Sequence, residues 1–424
     1  MKPKNLDELE TIVISVETSP VSEDTLAETG IIRTLVSSLE QALTWYAAPP
    51  RMGALILARR VLRLLSDIEL YVSDNLSAVR HALYWKSRLY QAMTKRDQAY
   101  KAAKRYTELC PKKTSLLHRA ETLIFMAKAC YWSDDQQGAV RFQREAIDLL
   151  EQAREKGKLT DKNQRRFNTA YTVWAFRYAQ NTCCWKEAYK TFKKAHERAR
   201  AWGDPGLLSA TLVLYSEAKI FQGDWKGCER LARECAEAAL SQPEGPQSDY
   251  PFWIWGRALV HTGNPEQAVP ELERSIKIAK EIGDTVGLSE ALASRAEAHL
   301  TMGENEKAVK TAAQSQRVAT YAKLGINLAQ VKVWRAWIEM ETDPDCAVKH
   351  LGPLHQSLAD FERIGCLSGW ACALGALGHA LGLAGKADES GFYLEGALKA
   401  FKKWDMPWHS VRTENSIARF SNSE

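Results

Sequence analysis

Residues 382–386 (GLAGK), with Gly375 and Gly378 before them, carry the glycines and lysine of a loop that could cradle a phosphate. Ala380 stands where the first glycine of such a loop belongs, and Ala387 replaces the Ser or Thr that would hold magnesium. The segment also joins two helical stretches rather than a strand and a helix, so helix packing followed by a glycine cap accounts for it. His350 and His355 lie five apart around Gly352-Pro353, off the i, i+4 spacing that sets two imidazoles on one zinc-binding face. His196-Glu197 lacks the second histidine of a metalloprotease helix. There is no G-x-S-x-G elbow, and Ser216/Lys219 has no evident oxyanion hole beside it. Asp134-Asp135 sits in a turn, where a carboxylate caps the next helix. Catalytic residues, a metal site and a cofactor site are therefore all expected to be absent.

The elements that would position any binding residues come from an internal period. Taking Ala268 in GNPEQAVPELERS as an anchor, equivalent positions are Ala99, Ala139, Ala188, Cys228, Ala308, Ala347 and Ser390, with successive spacings of 40, 49, 40, 40, 40, 39 and 43. A polar insertion at 155–163 explains the long spacing and reads as a lengthened loop. Five residues before the anchor a glycine recurs (Gly223, Gly263, Gly303, Gly385), which suits a left-handed helix C-cap. Twelve before it stands a small residue (Ser87, Ala127, Ser216, Gly256, Ala296, Gly378), which lets one helix approach the next closely. Sixteen before it the residue is apolar: Leu83, Leu123, Leu212, Phe252, Leu292, Val331, Leu374. Ala188, Phe192 and Ala195 continue the pattern at i, i+4 and i+7, one face of a helix. Each unit is thus a pair of antiparallel helices.

Small, aromatic and alanine positions in such a hairpin resemble the tetratricopeptide repeat family over residues 80–407. The family's standard unit has 34 residues and these have about 40, similar to the units of kinesin light chain and of the sensor regions of some bacterial signalling ATPases and peptide-responsive regulators. The resemblance implies an all-α fold, a right-handed superhelical α-solenoid whose concave groove is lined by the first helix of every unit. The expected organisation is an acidic tail (1–29), a helical capping hairpin (30–78), eight repeats (79–407) and a closing C-terminal helix and tail (408–424). Within the tail, TIVISV (11–16) could add a short strand or bind as a peptide.

Of 424 residues, 45% are hydrophobic and 26% charged, ordinary values for a chain that buries a core. The first ten residues turn acidic where a signal peptide needs an apolar run, and no stretch reaches the ~20 apolar residues of a membrane span. Nine scattered cysteines with no CxxC pair point to reduced thiols and a cytoplasmic location; Cys183, Cys184, Cys228 and Cys235 read as small buried hydrophobes. The net charge of +5 hides an asymmetry: residues 80–200 hold 27 Lys and Arg against 12 Asp and Glu, while residues 201–300 hold 9 against 15.

Eleven residues before each anchor runs a nearly all-ionisable row: Arg88, Lys128, Arg177, Glu217, Arg257, Glu297, Ala336 and His379. Such a row is either an ordinary solvated face or, if the resemblance holds, a groove with a basic N-terminal end. Aromatics fall at groove-facing positions as well, so the expected partner-binding set is Tyr84, Arg88, Lys128, Tyr131, Trp132, Arg177, Asn181, Glu217, Phe221, Trp253 and Arg257. Trp185 and Trp225 are expected as wedges between units, and Trp174, Trp255, Trp334 and Trp337 as packing between helices. The expected function is a non-catalytic scaffold or regulatory adaptor that binds a peptide or partner domain, with acidic segments favoured at the basic end. Two alternatives are a regulatory subunit controlling a partner protease, ATPase or transcription factor, and a nucleic-acid binder using the basic 80–200 region.

Overall fold

A computed structural model describes Val36 and residues 51–71, 75–93, 95–111, 114–242, 248–322 and 324–421. The expected tail (1–29), with its TIVISV segment, and the first arm of the expected capping hairpin lie outside these residues, apart from Val36. Among the described residues there are eighteen α-helices, one short 3-10 turn and no strand. The chain divides into two compact units, Met1–Lys158 with the link Ile282–Asp284, and Leu159–Glu281 with Thr285–Glu424.

The first unit contains α1 (Arg51–Tyr71), α2 (Leu76–Ala92), α3 (Arg96–Glu108), α4 (Leu116–Trp132) and α5 (Gln136–Glu155), each packed on the next. Polar side chains start the helices: Asn75 accepts from the backbone N–H groups of Ser77 and Ala78, Ser115 from His118, and Asp135 from Gly138. Asp135 thus has the capping role expected of the Asp134-Asp135 pair.

The second unit comprises α6 (Asp161–Thr182), α7 (Trp185–Ala201), α8 (Pro205–Gln222), α9 (Trp225–Leu240), α10 (Tyr250–His261), α11 (Pro265–Ile282), α12 (Thr285–Thr301), α13 (Asn305–Ala322), α14 (Gly325–Thr342), α15 (Ala347–Ile364), α16 (Leu367–Leu383), α17 (Ala387–Lys403) and α18 (Pro407–Ser421). The loop expected from the 155–163 insertion is only residues 156–160. The rest lengthens the helices, and α6 reaches 22 residues. This insertion is also the boundary between the two units.

The repeat grammar is realised position by position. All eight anchors are at most 1% exposed, because each sits where the second helix of a hairpin crosses the first. Ser87 donates its hydroxyl to the Ala99 carbonyl at 2.8 Å and Ser390 donates to the Gly378 carbonyl at 2.8 Å, a polar version of the same contact between positions twelve apart. At Gly378 a Cβ would lie 2.9 Å from the Leu394 backbone nitrogen, so the crossing leaves no room for a side chain. The glycines five before the anchors end their helices with φ between +74° and +90°.

One feature departs from a simple stack. The C-terminal helix was expected only to close the end, yet the last elements of the second unit also fold against its first. The Trp185 indole donates to the Trp404 carbonyl at 2.8 Å, Gln222 Nε2 donates to the Asp405 carbonyl at 3.1 Å, and α16 packs against α6. A Cβ on Gly223 would lie 2.8 Å from Cβ of Trp408. The second unit therefore closes on itself, and α18 lies against the first helices of its hairpins.

Candidate functional site

Where α18 meets those helices there is a cavity of about 70 Å³. The first helices of five consecutive hairpins contribute to its wall: α8 through Phe221, α10 through Arg257, α12 through Glu297, α14 through Trp334 and Trp337, and α16 through Cys372. The hairpin repeat places these side chains on one side of successive helices, and α18 completes the wall with Trp408, His409 and Arg412.

The charged centre is an ion pair between adjacent repeats. Arg257 Nη1 lies 3.1 Å from Glu297 Oε2 and donates to Ser294 Oγ at 3.1 Å; His261 Nε2 stands 3.6 Å from the same carboxylate. Burial alone would push the Glu297 carboxyl up, but Arg257, His261 and Arg412 outweigh it and hold the group down at about 2. Burial lowers His261 and His409, the latter to about 3, with neighbouring Arg412 adding to the effect on both. Both imidazoles are consequently neutral at pH 7, and the formal charge of Arg257, Arg412 and Glu297 together is +1.

Tryptophans hold the cations. The Arg412 guanidinium lies 3.6 Å from the ring centroid of Trp337 and 5.3 Å from that of Trp408, and the Arg257 guanidinium 4.2 Å from that of Trp334. Trp225 stacks on His261 at 3.7 Å between centroids. Arg412 makes no side-chain hydrogen bond or ion pair among the described residues. Nε of Arg257, Nε1 of Trp225 and Nε2 of His409 are buried without a hydrogen-bond partner there. Glu297 Oε2 and His261 Nε2 are likewise unmet, and so concentrated a set of unmet polar atoms marks a place where a ligand or ordered water completes the bonding.

Cys372 Sγ is 3.8 Å from His409 Nδ1, the only feature of the cavity that resembles a nucleophilic dyad. Burial pushes the thiol up to about 12, and the imidazole stays neutral, so the pair offers neither thiolate nor imidazolium. A second cluster lies outside the cavity, where ligand atoms of Glu339, Cys346 and His350 come within 4.8 Å of one another. The Glu339 carboxylate already takes Arg335 at 2.6 Å, Lys349 at 2.8 Å and His350 at 3.1 Å, so a metal ion would face two fixed cations.

The expected binding residues separate by unit. In the second unit, Phe221 and Arg257 reach the cavity. Trp253 does not: it is 2% exposed in the core and donates its indole N–H to Ser294 Oγ at 2.9 Å, which makes it a support for the Arg257 contact. Arg177 is buried on α6, with Asn181 half-buried one turn later. Glu217, half-buried on α8, has no hydrogen bond or ion pair among the described residues, and burial pushes its carboxyl up to about 8. In the first unit, Tyr84 packs against Phe125 at 4.6 Å and Trp85 at 4.9 Å, and the Arg88 guanidinium lies 5.2 Å from the Trp85 ring centroid. Lys128 is exposed, and Tyr131 and Trp132 meet edge to face at 5.9 Å.

Trp225, expected as a wedge between units, and Trp334 and Trp337, expected as packing between helices, are cavity walls. Trp408, His409, Arg412 and Cys372 were not anticipated at all. Glu297 carried a signal, since it and Arg257 hold the same register in successive units. Arg412 carried none, because it lies beyond the last repeat.

No protein-family model matches the chain, and no curated protein does. Many solved structures match its fold. A Rap protein in complex with the competence and sporulation factor superposes with a TM-score of 0.59 at 13% identity, covering 89% of this chain and 99% of that one. The Rap conjugation gene regulator of plasmid pLS20, in complex with the Phr* peptide, gives 0.55 at 14% identity over 85% of this chain and 94% of the other. Aspartyl phosphate phosphatase F from Bacillus subtilis gives 0.50 at 13% identity, with coverages of 86% and 94%. The chain has the helical-hairpin repeat fold of these proteins, as the tetratricopeptide resemblance implied. Likeness at such identities speaks for the fold alone. Among the described residues no helix is long and apolar enough to cross a membrane.

Proposed function

We propose that this chain is a peptide-responsive regulatory adaptor: a short peptide segment binds in the second unit, and the state of that unit governs how the chain engages a partner protein. The observation that carries the reading is the cavity itself, where five first helices and α18 converge on four tryptophans and two arginines, with Trp225 Nε1 and Arg257 Nε left without partners. Aromatic and arginine side chains dominate binding energy at interfaces, and a wall drawn from nine helices couples one ligand to the closure of the whole unit. One of the structural neighbours was solved with the Phr* peptide bound and another with the competence and sporulation factor, which fits the use of this fold to hold a regulatory ligand. Phe221 and Arg257 are the ligand contacts among the expected residues, and Arg177, Asn181 and Glu217 extend that surface along α6 and α8. Tyr84, Arg88, Lys128, Tyr131 and Trp132, in the basic first unit, form the face for the regulated partner.

Panning the full-length chain against a random hexapeptide display library tests this. Enriched peptides should perturb indole fluorescence and slow amide exchange in α8, α10, α12 and α14. Trp334→Ala should weaken them at least ~10-fold, the scale of an interface hot spot. Peptides that bind the variant as well as the parent, or no enrichment at all, would remove the cavity from the proposal. Charge reversal at Arg88 and Lys128 should abolish partner capture while leaving peptide binding intact.

A further inference from the structure

We infer that the cavity contains a carboxylate-binding subsite built by Arg412 and Arg257, so that the ligand presents a single carboxylate there. The inference rests on reading the cavity as the ligand site and specifies the chemistry that site selects.

Arg412 is the key group. It stands on α18 between Trp337 and Trp408, with the guanidinium closest to the face of Trp337 at 3.6 Å. A guanidinium supported on an indole uses its faces for that contact and leaves its N–H groups pointing outward in its own plane, where they suit the two oxygens of a carboxylate. Among the described residues no acceptor meets them. Burial lowers the Arg412 pKa from its ordinary value, outweighing the opposing pull of the Glu297 and Glu341 carboxylates. Glu297 is not that anion, because its closest cation is Arg257 at 3.1 Å and it lies beyond ion-pair distance of Arg412. The Arg257 Nε, in a residue only 4% exposed, is a further unmet donor in the same wall.

Charge and size choose among anions. Arg257 and Arg412 against Glu297, with both histidines neutral and the Glu341 carboxylate near Arg412 exposed to water outside the lining, leave one positive charge in the cavity wall to be balanced. A dianionic phosphate would bring a second charge against Glu297 in a poorly solvated space. The volume of about 70 Å³ exceeds the ~15 Å³ that admits one water, and gives room for a carboxylate with its first carbons. The apolar remainder of the wall, Phe221, Val333, Phe361 and Phe401, suits the aliphatic atoms behind such a group.

Acetate is the simplest probe. Titrating the full-length chain with sodium acetate at pH 7 and constant sodium concentration, followed by indole fluorescence, should give a saturable change that acetamide does not reproduce. Arg412→Lys keeps the charge but loses the flat fork, and should weaken acetate at least ~10-fold. Glu297→Gln removes the competing negative charge and should tighten acetate, a gain that misfolding cannot imitate. An equal response to acetamide, tighter binding of inorganic phosphate than of acetate, or affinity unchanged in both variants would overturn the assignment. Peptides from the display experiment then identify the source of the group. Loss of binding on C-terminal amidation assigns the main-chain carboxylate, and loss on Asp→Asn or Glu→Gln exchange assigns a side chain. Peptides indifferent to both changes would overturn the subsite while leaving the peptide reading standing. If acetate binds but no peptide does, the peptide reading fails and the subsite stands.

Discussion

Replacing Glu297 by Gln tests the electrostatic account of the cavity most directly. The carboxyl is held at about 2 against an ordinary 4.5, and at ~1.4 kcal/mol per unit this corresponds to ~3 kcal/mol of stability. The folded pKa is depressed, so the contribution is complete above pH 4.5 and declines as pH falls toward 2. Between pH 7 and pH 3 the decline is ~2 kcal/mol. Glu297→Gln also leaves Arg257 buried without a counter-charge, an effect of ~3–5 kcal/mol when one member of a buried pair is removed. The retained amide oxygen places the expected loss at pH 7 near the lower end of that range. Urea unfolding of the intact chain, followed by near-UV circular dichroism of the tryptophans, should show the gap between parent and variant narrowing by ~2 kcal/mol from pH 7 to pH 3. Glu339, also held near 2 by Lys349, Arg335 and His350 against the upward push of its burial, titrates in the same window but cancels in the comparison. A gap of equal size at both pH values, or a variant at least as stable as the parent at pH 7, would refute the reasoning.

Further consequences follow from other contacts. Glu217 is raised to about 8 by burial, so the folded chain holds the extra proton between pH 4.5 and 8 and loses stability as pH rises through that window. Glu217→Gln should flatten the thermal midpoint between pH 5.5 and 9, and an unchanged slope would show the carboxyl to be solvated. Gly378→Ala would drive a Cβ to 2.9 Å from the Leu394 backbone nitrogen; a loss of ~1–3 kcal/mol from overpacking should outweigh the ~1 kcal/mol gain in helix propensity, measured as a lower urea midpoint. Trp185→Phe removes the hydrogen bond to the Trp404 carbonyl, 219 residues away, and should cost ~1 kcal/mol and speed amide exchange in α18. Unaltered protection of α18 would mean that other contacts hold the closure. Cys372 and its neighbour His409 form a neutral pair, so iodoacetamide should leave Cys372 unmodified in the folded chain up to pH 9 while labelling exposed Cys184.

The hairpin period was legible because it is a local property. An anchor such as Ala268, the small residue Gly256 twelve before it and the capping Gly263 are all fixed by contacts within one helix pair, and contacts so near in sequence leave a repeated pattern. The same logic made Arg257 and Glu297 legible as a row, since one register in neighbouring units sets side chains beside each other. The groove-facing reading of the aromatics failed at Trp253, whose apparent groove position is core, because a helix enclosed on several sides has no solvent face to mark.

The sequence by itself determined the helices, their pairing and the order in which they stack, because each hairpin buries its stripe against its own partner. Only the tertiary structure decided that the second unit closes on itself, that α18 turns inward, and that Arg412 lies among tryptophans contributed by elements far apart in the chain. The physical reason is that closure accumulates from small rotations at every repeat and is sealed by contacts such as Trp185 with Trp404. No residue in a single unit records that sum.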